Sequence, residues 1–488
     1  MSDITRLSRD EYLHQYLEDK LHIRCVRILL TQVTGQNPTV YEAPGTLQLG
    51  KSFGLKSEFR VPKPGSSFKD VFAQLSMSVD YERGQLVRDD QYFQLEAVTK
   101  EGVHWTCSRV TVVERAGQDE CTVRFEASYV ENISHAQESA YAARLSYVEK
   151  LHLPENHLVD EVGRNGSTFM GRDGSQGRLA NLDLTYVRRF RDDTVERSEL
   201  TVHAVEGTEP PRYFDVRVME TMVFCSALLA QPICTEVAYG KLRSILFSKH
   251  RPVHAFHAGL ISPPIQERFA EQDFYKLATA YYEHICKDGD IEGMSQMTRK
   301  IGSLFDMSGA SIAAIALSLS VAVESLTQTG QLAGRFKPTP QHLAVVDSIK
   351  SAILGLPALD AFAKRFAEVN GLPDKRPLQD RLSAVLSLLA EGGRTIDALR
   401  LLNGVGAVTS EEIKAWNDLR NPAAHGSWEP KDHSMQIHLD DIYKMLTLVY
   451  RLVFVQIGYD GKFNARNVKG WPIAEFKGKD IQAALKFQ

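Results

Sequence analysis

The sequence predicts an α+β multidomain protein, with a β-rich N-terminal part followed by an all-α C-terminal part. Up to about residue 218 the chain is dominated by runs rich in β-branched and aromatic residues. From Met219 onward the apolar residues recur with the period of helices. A length of 488 residues is too great for one hydrophobic core, and therefore indicates two or three domains.

Strand-like runs separated by turn signals make up the N-terminal part. The main runs cover residues 46–61, 92–113, 121–130 and 182–205. Strands joined by short turns favour a mostly antiparallel sheet with a sandwich-like arrangement. Short helices are expected at about residues 8–20 and near residues 135–150.

The C-terminal part is expected to be a helical bundle. Helices are predicted near residues 219–231, 265–287, 308–327, 340–354, 358–370, 377–391 and 410–420, and from His438 to Gln456. Gly458 follows the last helix and is a favourable residue for its C-terminal cap. We expect three regions: a β-rich sensing or regulatory domain (1–240), a helical connector (241–300) and an all-α domain with a C-terminal tail (301–488).

Composition restricts the classes of function. The net charge is −4, so any contact with nucleic acid must come from a local basic patch. The six cysteines are scattered without a C-x-x-C pair, which argues against a structural zinc site and a disulfide framework. His254 and His257 have no third ligand nearby in the sequence, so no metal or cofactor is assigned.

Two segments of the sequence indicate the expected cellular location of the protein. The charged N-terminus lacks the apolar core of a signal peptide, so a cytoplasmic protein is expected. Residues 307–323 carry no charge, but they are rich in serine, glycine and alanine and fall short of the roughly twenty apolar residues of a membrane span. A buried core helix without membrane contact is therefore expected there.

The stretch "DLRNPAAHGSWE" (418–429) combines an arginine, Arg420, with His425 five positions later. An arginine followed by a histidine at this spacing is a loose pattern that occurs elsewhere in the chain. On an unbroken helix two such side chains lie about 140° apart. Pro422 disfavours helical backbone at Asn421, so we expect the helix to end there and Arg420 and His425 to face one pocket. A polar loop between helices remains the alternative.

An R-N-x-x-x-H-G motif before the last apolar helix of an all-α region resembles the HEPN family of ribonucleases. Further features resemble the ApeA-type HEPN proteins of bacterial anti-phage defence. They are "AVESL" (322–326) with Glu324, "LVYRLVFVQIGYDGKF" (448–463), "GWP" (470–472) and a large β-rich N-terminal region. The resemblance is specific over roughly residues 300–475 and only architectural before about residue 240.

The resemblance implies a metal-independent endoribonuclease of abortive-infection defence. Transfer RNA is the implied substrate, and the N-terminal domain is expected to sense a phage component, such as a protein trigger, or to restrain the nuclease. The family also carries an acidic residue on an earlier helix, and Glu324 is the residue here that would hold Arg420 in place.

The residues support this chemistry. His425 can act as base or acid near neutral pH, and Arg420 can bind two phosphate oxygens. Asn421 would orient His425 or bind phosphate. In-line attack of the 2′-OH needs a base and an acid on opposite sides of phosphorus, so a single histidine is insufficient. A homodimer or higher oligomer would supply the second His425.

A second class of function stays open at this point. The C-terminal domain can instead be a catalytically silent HEPN module that serves as a dimerisation or RNA-binding scaffold. The N-terminal domain would then be a β-sandwich that binds a ligand such as a carbohydrate or a peptide, or a protein.

Overall fold

The structure is a computed structural model. It describes residues 9–33, 38–62, 92–116, 120–162, 168–192, 195–251, 260–265, 271–289, 293–307, 310–328, 340–369, 395–425 and 435–487. The chain divides into two compact units. The first, called here the β unit, comprises residues 1–254 and 266–296, and the second, the helical unit, comprises residues 255–265 and 297–488.

A six-stranded antiparallel barrel forms the first half of the β unit. Its strands are β1 (Leu21–Gln32), β2 (Val40–Gly50), β3 (Gly54–Pro62), β4 (Phe93–Thr99), β5 (His104–Ala116) and β6 (Glu120–Ala127). The order is β4-β1-β2-β3-β6-β5, and β4 also pairs with β5. The expected sandwich is therefore wrong, because pairing of β4 on both sides closes this sheet on itself.

Every second side chain along the barrel strands points inward, and these side chains fill the barrel core. In β1, Leu21, Ile23 and Cys25 are buried while their neighbours are exposed, and an irregularity after Cys25 shifts the register before Ile28. The predicted N-terminal helix is present as α1 (Arg9–Leu17), and its residues Leu13, Tyr16 and Leu17 belong to the same apolar core.

Further strands extend this sheet. They are β7 (Tyr129–Tyr147), β8 (His157–Val162), β9 (Thr168–Leu179), β10 (Leu182–Asp192), β11 (Val195–Ala204) and β12 (Cys234–Ser248). The helix expected near residues 135–150 is wrong, because most of that stretch belongs to β7. Its alanine-rich sequence suits a helix, but β7 pairs with β5, β11 and β12, and this pairing overrides local propensity.

The helical C-terminal part begins later in the sequence than expected. The helix predicted at 219–231 is α2 (Phe214–Ser226), but the chain then returns to the sheet as β12, which pairs with β7 from Cys234 to Ser248. Residues 241–248 of the expected helical connector are therefore strand. The next helix is α3 (Glu271–Cys286).

A buried ion pair anchors α2. Arg217 Nη1 lies 2.8 Å from Glu220 Oε2, and both side chains are at most 1% exposed. The same arginine nitrogen donates to the Gly293 carbonyl, and Glu220 accepts from the Ser295 amide. These bonds satisfy two charges that would otherwise be costly to bury.

Arg217→Met is expected to lower the free energy of unfolding by about 3–5 kcal/mol, because it leaves the Glu220 carboxylate buried without its partner. Urea unfolding followed by circular dichroism measures this loss. In the double variant Arg217→Met/Glu220→Gln much of the stability should return. An equal loss in both variants would contradict the assignment to an orphaned charge.

The remaining helices of the described chain belong to the helical unit, apart from Gln296, the first residue of α4. They are α4 (Gln296–Asp306), α5 (Ile312–Thr327), α6 (Pro340–Leu354), α7 (Pro357–Val369), α8 (Thr395–Gly404), α9 (Ser410–His425), α10 (Met435–Ile457) and α11 (Gly478–Phe487). A hairpin of β13 (Asp460–Asn464) and β14 (Ile473–Lys477) precedes α11, so the unit is not purely helical. The helix expected at 377–391 lies outside the described residues.

Two predictions in the helical unit are confirmed. The uncharged segment forms a core helix, α5, with Ile315, Leu319 and Val323 fully buried. Helix α10 ends at Ile457, and Gly458 follows in the left-handed conformation at φ 67°. Within the described ranges, no helix combines the length and the apolar composition that crossing a membrane requires.

Candidate functional site

Helix α9, which carries the Arg-His motif, has a well-defined start. The Thr409 amide donates to Glu412 Oε2 at 2.9 Å, and the Glu412 amide donates to Thr409 Oγ1 at 3.3 Å. This reciprocal pair is a capping box, which satisfies backbone donors at a helix N-terminus. Glu412 is fully buried, so the start of α9 is fixed within the unit.

The expected end of this helix at Asn421 is wrong. The structure continues α9 through Pro422 as far as His425. Proline has no N–H to donate to the Asp418 carbonyl, which weakens the helix at this point. The cap at Thr409 and the buried face with Trp416 and Leu419 outweigh this local preference, and Pro422 lies only three residues from the helix end.

This continuity changes the geometry of the motif. Five residues along one helix turn by about 500°, so positions 420 and 425 lie about 140° apart around the axis and about 7.5 Å apart along it. The expected convergence of Arg420 and His425 on one pocket depends on the His425 side chain, which lies outside the described part of the structure, so it stays a prediction. Asn421 and His425 both belong to the last part of α9, where the backbone is helical.

The structure brings Arg420 together with Glu324. Arg420 Nε on α9 lies 2.6 Å from Glu324 Oε1 on α5. The two side chains are 47% and 31% exposed, so this is a surface ion pair. The guanidinium carbon of Arg420 also lies 5.3 Å from the ring centroid of the buried Trp416, one turn earlier on α9.

These two contacts orient the guanidinium and leave part of it available. Glu324 lies next to Nε, and the guanidinium carbon lies over the Trp416 ring. Among the described residues, neither terminal nitrogen of Arg420 has a hydrogen-bond partner. The two terminal nitrogens form the fork with which arginine binds two oxygens of a phosphate or carboxylate. The arrangement therefore presents a positioned oxyanion donor at the surface.

Helix α5 is held against its neighbour by contacts near Glu324. Gln456 Nε2 on α10 donates to the Leu326 carbonyl at 2.8 Å. Thr327 Oγ1 donates to the Val323 and Glu324 carbonyls. Because the backbone around Glu324 is fixed on both sides, its carboxylate is a stable partner for Arg420.

An exposed apolar stripe leads along α5 to Glu324. Leu317 and Val321 are 41% and 49% exposed, although α5 is otherwise an apolar core helix. Leu317, Val321 and Glu324 are spaced at i, i+4 and i+7, so they share one face of the helix. The Glu324–Arg420 pair therefore borders an apolar surface.

Sequence reasoning missed two parts of this region. Trp416 stands four residues before Arg420, and this i, i+4 spacing could have indicated the contact. The T-x-x-E sequence at 409–412 signals the capping box that starts α9. Within the residues that the structure covers, no group of three or more His, Cys, Asp or Glu side chains is arranged to hold a metal ion.

Comparison with known proteins adds no relative to this picture. No protein-family model, no curated protein and no solved structure matches the chain.

Proposed function

We propose that the chain is a metal-independent endoribonuclease of the HEPN type, and that Arg420 and His425 on α9 carry the reaction. The observation that carries this proposal is the 2.6 Å contact between Arg420 and Glu324, which joins residues nearly a hundred positions apart. An acidic residue that fixes the motif arginine is what the resemblance to HEPN ribonucleases implies. The R-N-x-x-x-H motif itself adds a histidine suited to acid–base chemistry.

The proposed reaction is a transesterification within RNA. One His425 takes the proton of a 2′-OH, whose oxygen bonds to the adjacent phosphorus while the bond from phosphorus to the 5′-oxygen breaks. A second His425, protonated, gives its proton to the departing 5′-oxygen. The terminal nitrogens of Arg420 stabilise the charge on the phosphorane oxygens. The products are a 2′,3′-cyclic phosphate and a 5′-OH.

This proposal requires a second copy of the chain. Positions 420 and 425 are about 140° apart around α9, which favours an arrangement in which two copies supply the groups at one phosphate. A two-fold axis brings identical patches together and would supply the second histidine and arginine. The apolar stripe of Leu317 and Val321, which borders the Glu324–Arg420 pair, is the surface we assign to this contact.

The biological setting follows from the resemblance. The substrate would be RNA, with transfer RNA as the implied target, and cleavage would halt host translation in abortive-infection defence against phage. The β unit would sense a phage protein or hold the nuclease inactive. Such a protein would act in the cytoplasm.

Cleavage of RNA by the purified full-length protein, with EDTA present, tests this function. Wild-type protein should cut transfer RNA, and Arg420→Ala should cut it about 100- to 1000-fold more slowly, because an oxyanion donor is lost. Arg400→Ala is a control, since Arg400 is also an exposed arginine of the helical unit, on α8. If Arg420→Ala and Arg400→Ala cleave equally, the proposed role of Arg420 is wrong.

A catalytically silent HEPN scaffold is the second candidate. The observation that favours it is the unbroken helix, which separates positions 420 and 425 by about 140° around its axis. A scaffold that dimerises or binds RNA would leave RNA intact in this assay. It would still form a dimer, or shift RNA on a native gel.

Glu324→Gln tests the positioning role of this carboxylate. We expect RNA cleavage to slow by about tenfold, because Arg420 loses the charge that orients it. The free energy of unfolding should change by less than about 1 kcal/mol, since the pair is exposed. Glu411→Gln, at an exposed carboxylate near the start of α9, is the control. A fall in stability that accounts for the lost activity would contradict a positioning role.

A further inference from the structure

The C-terminal end of the helical unit encloses a cleft that the proposed nuclease site does not use. Its volume is about 550 Å³, within the range of small-molecule sites. The α8–α9 loop, α10, β14 and α11 form its walls. Its lining includes Val405, Arg451, Phe476, Lys477, Asp480 and Ile481.

Arg451 is the most deeply placed charge in this cleft. Its side chain is 14% exposed, and its Nη1 donates to the Ala407 carbonyl at 3.3 Å. The guanidinium carbon lies 5.5 Å from the ring centroid of Phe463. Among the described residues, Nη2 has no hydrogen-bond partner. The guanidinium is therefore held in place, and its Nη2 group is available to donate hydrogen bonds to a molecule bound in the cleft.

The carboxylate next to Arg451 does not fully use this guanidinium. Arg451 Nε lies 3.4 Å from Glu412 Oε1, but neither atom forms a hydrogen bond with any described residue. The other Glu412 oxygen is occupied by the cap of α9. Burial raises the pKa of Glu412, and the nearby Arg451 opposes that rise. The ion pair with Glu412 therefore leaves N–H donors of Arg451 without a hydrogen bond.

The start of α11 adds one backbone donor to the same cleft. The amides of Gly478 and Lys479 are occupied by the Tyr459 carbonyl and by Asp460 Oδ1. Asp480 lines the cleft in the first turn of α11, and its amide has no partner among the described residues, whereas the intrahelical hydrogen bonds begin with the amide of Ile481. Amides at a helix N-terminus favour anions.

The other charges of the cleft are at its rim. Lys477 adds a cation, while the Glu475 and Asp480 side chains oppose an anion. All three residues are exposed, so water and salt screen them more than they screen Arg451. The remaining wall, formed by Val405, Ile481 and Ala484, is apolar. The cleft thus places hydrogen-bond donors that suit an oxyanion next to an apolar surface.

We propose that this cleft binds a small organic oxyanion, whose phosphate or carboxylate contacts Arg451 and the Asp480 amide and whose apolar body lies against Val405, Ile481 and Ala484. Binding here is independent of RNA cleavage and is measured without RNA.

Isothermal titration calorimetry of the full-length protein with three probes tests this site. Adenosine monophosphate represents an organic phosphate, benzoate an organic carboxylate, and inorganic phosphate an anion without an apolar body. At least one organic probe should bind, and which of them binds identifies the anion. Inorganic phosphate should bind at least about tenfold more weakly, because it lacks the apolar contacts. No organic binding, or equally tight inorganic phosphate, would overturn the proposal.

Two variants locate the binding. Arg451→Gln alone would leave Glu412 buried without a partner, so the matched pair is Glu412→Gln and Glu412→Gln/Arg451→Gln. The first should bind the organic probe at least as tightly as wild type, and the second at least about tenfold more weakly. Ala484→Phe, which fills the apolar side and keeps the arginine at position 451, should also abolish organic binding. Undiminished binding in the double variant and in Ala484→Phe would place the ligand elsewhere.

Discussion

His425→Ala is expected to slow RNA cleavage by about 100- to 10,000-fold, the range that a positioned acid–base group contributes. The loss should lie at the upper end, because one substitution removes both the base and the acid from a two-fold site. Single-turnover cleavage of a labelled transfer RNA in EDTA measures the rate of the chemical step.

Matched variants separate this effect from a loss of folding. His203→Ala changes an exposed histidine on β11 and should cleave like wild type. The melting temperature of His425→Ala should stay near that of wild type. An unchanged cleavage rate in His425→Ala would remove this histidine from the reaction.

Val321→Glu is expected to convert a dimer to a monomer and to abolish cleavage at the same time. A valine buried at an interface contributes about 1.5–3 kcal/mol, and a buried unpaired carboxylate costs more, so association should weaken at least about 100-fold. Val321 is 49% exposed in the single chain, so the fold should be retained. Light scattering after size-exclusion chromatography gives the mass, and the EDTA assay gives the activity.

A second exposed valine provides the control for this change. Val345 on α6 is 57% exposed and does not lie on the stripe, so Val345→Glu should remain dimeric and active. An active monomer, for either variant or for wild type, would contradict the requirement for two copies. A Val321→Glu dimer with full activity would place the interface on another face.

Much of the helical unit was predictable because its signals are local. Helix α5 follows from an uncharged run of small and apolar residues, and the end of α10 follows from Gly458. The N-terminal helix α1 was also found from sequence. These features depend on spacing and on residues with special backbone preferences, which operate within a few positions of the chain.

The errors lie where distant pairing decides the structure. Residues 135–147 look helical by propensity, yet they belong to β7 because strands on both sides supply hydrogen bonds. Strand β12 was missed for the same reason, since its partner lies about a hundred residues away. The closure of the barrel through β4 and β5 has no local signal, so a sandwich was the simpler expectation.

The candidate site was predictable in part. Glu324 and Arg420 were singled out from sequence, and the structure brings them into contact. The break at Asn421 was wrong because a proline restriction is local, whereas α9 is fixed by a cap at Thr409 and by a buried face. No sequence motif singled out Arg451. Its contact with Glu412 depends on the packing of α10 against the start of α9 and is seen only in the structure.

The chemistry of the cut ends tests the central claim most directly. RNA treated with the wild-type protein in EDTA should carry 2′,3′-cyclic phosphates and 5′-OH ends, and a 2′-deoxy substitution at the cut site should block cleavage there. Products with 5′-phosphates, or undiminished cleavage at the 2′-deoxy position, would contradict attack by the 2′-OH and with it the proposed roles of Arg420 and His425.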